Sequence, residues 1–120
     1  TISGIGKYFK ENKPSTRIIG VEPLESPLLT QGFANAHKIQ GIGANFIPNT
    51  YLKDYVDEIV DVLEFSSIAV ARDIMKYENL FVGISSGAAL LGAIKYIQRK
   101  GIIKGNFVVI FPDKGDRYSW

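Results

Sequence analysis

The 120-residue sequence predicts an α/β fold with a mainly parallel sheet flanked by helices. Three observations predict it. Short apolar runs bounded by turn residues occur at 17–21, 57–63, 80–82 and 106–111, which read as strands. Segments with helical spacing separate them at 2–11, 65–78 and 86–99. Apolar residues make up 46% and charged residues 22%, enough for a packed core and too apolar for a disordered chain.

Residues 2–11 place Ile2, Ile5, Tyr8 and Phe9 on one helical face, and Asn12-Lys13-Pro14 stops that helix. Arg17 to Val21 reads as a buried strand that Glu22-Pro23 ends, since proline cannot continue a central ladder. Residues 23–50 carry Pro23, Pro27, Pro48, Gly32, Gly41 and Gly43. They read as a long irregular stretch with one short helix near 26–32, and loops of that length are usually functional. In the helix at 65–78, Phe65, Ile68, Ala69, Arg72 and Met75 share a face. The aromatics Tyr8, Phe9, Phe65 and Tyr77 read as core. In a parallel sheet, ligands sit at the carboxyl ends of strands, where the loops 23–50, 83–87 and 112–117 fall.

Fourteen basic residues against twelve acidic give a net charge of +2, too balanced to argue for nucleic acid or an anionic membrane. The absence of cysteine excludes disulfides, thiolate metal sites and a cysteine nucleophile, and it suits a reducing cytoplasm. No apolar run approaches the roughly 18 residues of a membrane span. Thr1-Ile2-Ser3-Gly4 does not read as a signal peptide, and without an initiator methionine the sequence reads as a portion of a longer or processed chain.

Gly83-Ile84-Ser85-Ser86-Gly87 forms a G-x-S-x-G pattern between a strand and a helix. One reading is the nucleophile elbow of a serine hydrolase, with Ser85 attacking an acyl carbon. That reading needs a histidine after the serine, and the only histidine is His37. A second reading is a polar platform at a helix N-terminus, where free N–H groups and serine hydroxyls hold a ligand and Gly83 and Gly87 allow close approach of a planar ring. A third is that Ser85 or Ser86 simply caps the helix. Other candidates have plainer readings. His37 is a structural or solvated loop residue, Asp57, Glu58 and Asp61 form a solvated strand start, and Lys7, Lys10 and Lys13 form a solvated helix face.

Several segments together resemble one family. Thr1-Ile2-Ser3-Gly4, Val21-Glu22-Pro23 with Ser26-Pro27, His37-Lys38-Ile39-Gln40-Gly41-Ile42-Gly43-Ala44 with Phe46-Ile47-Pro48, Gly83 to Ala89, and Pro112-Asp113 with Gly115-Asp116-Arg117-Tyr118 occur in the order and spacing of the cysteine synthases (O-acetylserine sulfhydrylases). The segment from His37 to Ala44 is the most specific and is similar to the cysteine synthase and cystathionine β-synthase branch of fold-type II pyridoxal-phosphate (PLP) enzymes. The closing Tyr118-Ser119-Trp120 departs from the family's usual ending.

The resemblance implies a Rossmann-like, three-layer architecture, with residues 1–120 forming the C-terminal portion of the larger PLP-binding domain of a tryptophan synthase β-like fold. It implies conversion of O-acetylserine and sulfide to cysteine and acetate, with cystathionine or lanthionine formation as close variants. By position, Thr1 would bind the PLP phosphate, Ser85 would meet the pyridine nitrogen, and Gly41, Ile42, Gly43 and Ala44 would border the substrate. Thr1 and Ser85 should then open onto a common hollow. The family's Schiff-base lysine has no counterpart among the lysines of this sequence, so the chain alone is expected to be inactive, or to serve as a non-catalytic interaction module. The family also implies a cytoplasmic homodimer and binding of the C-terminal tail of serine acetyltransferase near residues 38–44.

Overall fold

The computed structural model describes residues 1–117, the side chain of Arg117 apart. Tyr118, Ser119 and Trp120, where the ending departs from the family's, lie outside the described residues. The chain runs α1 (Ile2–Asn12), β1 (Ile19–Pro23), α2 (Leu28–Gln31), a 3-10 turn (Lys53–Tyr55), β2 (Glu58–Val62), α3 (Glu64–Glu78) and α4 (Ile84–Lys100), then a second 3-10 turn at Gly115–Arg117. No described helix is long and apolar enough to cross a membrane.

β1 and β2 pair in parallel, with Ile19 opposite Glu58 and Pro23 opposite Val62. β1 therefore continues through Glu22 and Pro23, beyond the expected end. Proline is tolerated because it is the last residue of the ladder, where the Leu24 N–H donates to the Val62 carbonyl.

Successive residues of β1 face opposite layers. Gly20 lies under Ile2 of α1, where an added Cβ would come 3.2 Å from the Ile2 Cδ1. Val21 faces α4, and a Cβ on Gly92 would meet its Cγ2 at 2.5 Å. The result is a helix–sheet–helix stack with α1 on one face of the sheet and α4 on the other, α3 packing on α4.

Polar contacts fix the helix directions. Lys10, near the end of α1, pairs with Asp57 just before β2. On the other face, Ile84 and Ala88 of α4 pack on Val62, Lys95 bonds Asp61, and Lys100 pairs with Glu58. Both helices thus run antiparallel to the strands, with their N-termini toward the carboxyl end of the sheet. Asp57, Glu58 and Asp61 and Lys10, expected to be solvated, instead tie the strand start to the helices. Among the described residues no group of acidic or histidine side chains could hold a metal ion.

The α3–α4 interface corrects a second expectation. The buried face of α3 is Ser67, Ala71 and Ile74, whereas Phe65 is 82% exposed and Tyr77 71% exposed. Small residues face α4 because the backbones approach closely: a Cβ on Gly87 would sit 2.2 Å from the Ser67 carbonyl oxygen. Bulky residues do not mark the buried face of α3, because close packing of small residues decides it. Tyr8 is also exposed, so of the four aromatics expected in the core only Phe9 is partly covered.

Two expected strands do not form. Residues 80–82 contribute only an antiparallel bridge from Val82 to Lys114. Residues 106–111 are in no strand, and Val108 is 89% exposed. Neither finds a partner strand among the described residues, and strand propensity alone does not hold an extended segment in a sheet.

Candidate cofactor site

α4 begins earlier than its pattern indicates. Gly83 is the N-cap residue, with extended backbone (φ −74°, ψ 169°), and Ser85 and Ser86 lie inside the first turn. No side chain caps this end, so the simple capping reading of either serine is set aside. Both serines are buried, Ser85 at 5% exposure and Ser86 at 0%. The Ser86 hydroxyl has no hydrogen-bond partner among the described residues. A buried hydroxyl without a partner is costly and uncommon in a native fold. Gly87 faces α3, so it serves helix packing and does not open the turn to a planar ring.

Two other loops converge on this turn. The Gly83 N–H donates to the Asp113 carbonyl and the Gly115 N–H to the Phe81 carbonyl, which ties residues 113–115 to the entry of α4. From the other side, Ile39 is fully buried and packs with Val62, Ile84 and Ala88, and Ile42 leans on the same cluster. The loop carrying Gly41, Ile42, Gly43 and Ala44 is therefore seated beside the serine turn. Gly41 (φ 91°) and Gly43 (φ 64°) take left-handed backbone, which glycine adopts without steric cost.

That loop is braced from several directions. His37 Nδ1 accepts the Ile39 N–H at 3.1 Å, and Nε2 lies 2.8 Å from the Gly43 carbonyl oxygen. The Lys38 N–H donates to Glu64 Oε2, and the Glu64 N–H in turn donates to the Glu25 carboxylate. Glu22, 3% exposed, accepts the N–H groups of Leu29 and Thr30 at the start of α2. Burial raises the Tyr51 phenol above its ordinary pKa, and the Glu22 charge adds to the shift.

With both imidazole nitrogens taken by loop backbone, His37 offers no base to Ser85, which removes the support for a serine nucleophile. No sequence signal marked His37 as a bridge across its own loop, because its partners are backbone groups.

Thr1 sits elsewhere. It is the exposed N-cap residue of α1, its carbonyl accepts the Ile5 N–H, and its side chain makes no capping bond. α1 lies on the face of the sheet opposite α4. The structure therefore brings Ser85 together with the loops 39–44 and 113–115, and it places Thr1 toward the same end of the sheet without a described contact to them. A hollow lined by Leu80, Phe81, Val82, Phe111, Asp113 and Lys114 has neither serine in its wall.

A parallel sheet with helices on both faces, and a helix N-terminus offering two buried serines at its carboxyl end, is an architecture for holding a polar cofactor. Residues 1–113 match the family model of pyridoxal-phosphate-dependent enzymes, and the chain belongs to that family.

Its relatives narrow the class. The chain is 43% identical to a cysteine synthase of Buchnera aphidicola over 126 aligned positions, covering 98% of this chain and 40% of the relative. Its backbone superposes on the crystal structure of a cysteine synthase from Entamoeba histolytica with a TM-score of 0.93 at 40% identity, covering 98% of this chain and 35% of that one. An O-acetylserine-dependent cystathionine β-synthase from Helicobacter pylori gives a TM-score of 0.86 at 39% identity, with 98% and 38% covered. The chain thus spans about two-fifths of the length of the curated relatives it matches.

Proposed function

We propose that this chain supplies part of the cofactor and substrate site of a PLP-dependent enzyme that makes cysteine from O-acetylserine and sulfide. The observation that carries this reading is the buried serine pair in the first turn of α4, uncommitted to capping, with the 39–44 loop packed on the same turn. Relatives named cysteine synthase support the choice of reaction. The relative that makes cystathionine from the same donor leaves the thiol to residues beyond this match.

On this reading the serine turn suits the cofactor, since the buried Ser86 hydroxyl beside Ser85 lacks a partner among the described residues. Thr1, exposed at the N-terminus of α1, would hold the phosphate, where free N–H groups and the helix dipole favour an anion. Ser85 would meet the pyridine nitrogen with a neutral hydroxyl. PLP when bound acts as an electron sink for bonds at the amino-acid α-carbon, and a neutral partner at the nitrogen keeps that sink weak, which suits loss of a good leaving group. The 41–44 backbone, opened by two left-handed glycines, would border the substrate.

No lysine here lies in the family's Schiff-base motif. The chain by itself is therefore read as inactive, and as the C-terminal portion of the larger PLP-binding domain. A cytoplasmic homodimer, and capture of a serine acetyltransferase tail near Lys38, extend the same reading.

A second reading, a module that docks a complementary polypeptide, is favoured by the unpaired apolar stretch 106–111.

The test is titration of the purified chain with PLP, following cofactor fluorescence. Wild-type chain should bind reversibly, and Ser85→Ala should weaken binding about tenfold, the factor set by one lost hydrogen bond to a heteroatom. Equal binding by the variant, or none by either, sinks the role of Ser85. Cysteine formation by the chain alone sinks the inactivity.

A further inference from the structure

The His37 ring bridges the loop 37–43 through two backbone partners and takes no part in the proposed contacts to cofactor or substrate. An amide N–H can only donate, so the Nδ1 that receives the Ile39 N–H carries a lone pair. A carbonyl oxygen can only accept, so the Nε2 facing the Gly43 carbonyl carries the hydrogen. The two backbone partners therefore select one neutral tautomer, protonated at Nε2.

The fit is steric as well as polar. A Cβ on Gly43 would lie 2.6 Å from His37 Nε2 and 2.6 Å from Pro23 Cγ, so the ring and the end of β1 grip the glycine from both sides. Ile39, where the span that the ring closes begins, packs with Ile84 and Ala88 in the first two turns of α4, and Ile42 packs against the same cluster.

We propose that His37 is a positioning residue: its imidazole closes the loop between Ile39 and Gly43 and thereby sets the backbone of Gly41 to Ala44 against the serine turn of α4. The inference rests on the reading that this backbone borders the substrate, and it adds the device that shapes it. The ring touches neither substrate nor cofactor in this role. Its effect passes through the loop, because Ile39 and Ile42 couple loop shape to the packing of Ile84 and Ala88 at the start of α4.

The experiment uses the ¹⁵N-labelled 120-residue chain and reads two things. Imidazole nitrogen shifts in the neutral form should show Nε2 protonated and Nδ1 bare. Hydrogen exchange at the Ile39 amide should be slow, and should rise about tenfold in His37→Phe, which keeps the ring volume but offers no acceptor. His37→Asn, whose Oδ1 can stand where Nδ1 stood, should restore most of the protection at Ile39.

A purely space-filling role predicts that His37→Phe protects Ile39 as the wild type does, and that result overturns the proposal. So does a ring protonated at Nδ1, or an Ile39 amide that exchanges at the unfolded rate in the wild type. Failure of the proposed function would instead show as unchanged PLP binding in Ser85→Ala, which leaves the Ile39 reading untouched.

Discussion

β2 and residues 106–111 are written in the same kinds of side chain and meet opposite fates. In β2, Val60 and Val62 are fully buried between a parallel neighbour and α4. In 106–111, Val108 is 89% exposed and Ile110 52%, and no described strand lies alongside. A strand is a property of a pair. Val60 and Val108 have the same propensity, and only the first has a ladder to join and a helix face to fill. The Entamoeba cysteine synthase shares this backbone over 98% of the chain, yet only 35% of its own length is matched. Among the described residues, no element covers the apolar side chains of 106–111.

The sharpest test of the packed half is Gly87→Leu. Its first carbon would lie 2.2 Å from the Ser67 carbonyl and 2.8 Å from the Ala71 nitrogen, both backbone atoms that cannot swing aside. Separating α3 from α4 should cost about 3 kcal/mol or more, read as a fall in the urea midpoint. A loss under about 1 kcal/mol would show that the two helices are not locked together, and the contrast with 106–111 would lose its firm side.

Asp57→Asn probes how the packed half is pinned at its other end. Burial pushes the Asp57 carboxyl up, but the Lys10 hydrogen bond, the Ile18 N–H and the charges of Lys10 and Arg17 together outweigh it and hold the pKa below its ordinary 3.8. A group whose folded pKa is lowered stabilises the fold above its unfolded value. That contribution is complete at neutral pH and is lost as pH falls from about 3.8 through the folded value. The variant should cost about 1–2 kcal/mol at pH 7, and the gap from wild type should close in more acidic solution. A gap that persists unchanged at the acid end would mean that shape, and not charge, is what Asp57 supplies.

Much of this was readable from the residues. Asn12-Lys13-Pro14 stops α1 where the pattern says, and β2 lies within the expected 57–63. The serine turn, the glycine loop and the closing loop do gather at one place, but only the glycine loop follows a strand of the sheet; the closing loop is tied to the serine turn by the backbone bonds of Gly83 and Gly115. What was not readable depended on partners distant in sequence. The buried face of α3 is set by Gly87, twenty residues from Ser67, and a pattern of bulky residues inside α3 carries no trace of it. The pairing of Lys10 with Asp57 joins residues 47 apart. The bridging role of His37 was hidden for another reason, since its partners are main-chain atoms that every residue has.

The exposed half is tested by Val108→Lys, where the smallest effect is expected. At 89% exposure Val108 buries little apolar area that a lysine would forfeit. The stability of the chain should change by no more than about 0.5 kcal/mol in urea unfolding. The visible consequence should be colloidal. An apolar segment with Phe107, Val108 and Ile110 exposed is a surface for association, and a lysine in its middle raises the cost of bringing two such segments together. Sedimentation should show the wild type associating with rising concentration and the variant much less so. If Val108→Lys instead lowers stability by about 2 kcal/mol, the cost of emptying a buried position, then Val108 is covered in solution. The difference between β2 and 106–111 would then lie in what covers each segment and no longer in whether it is covered.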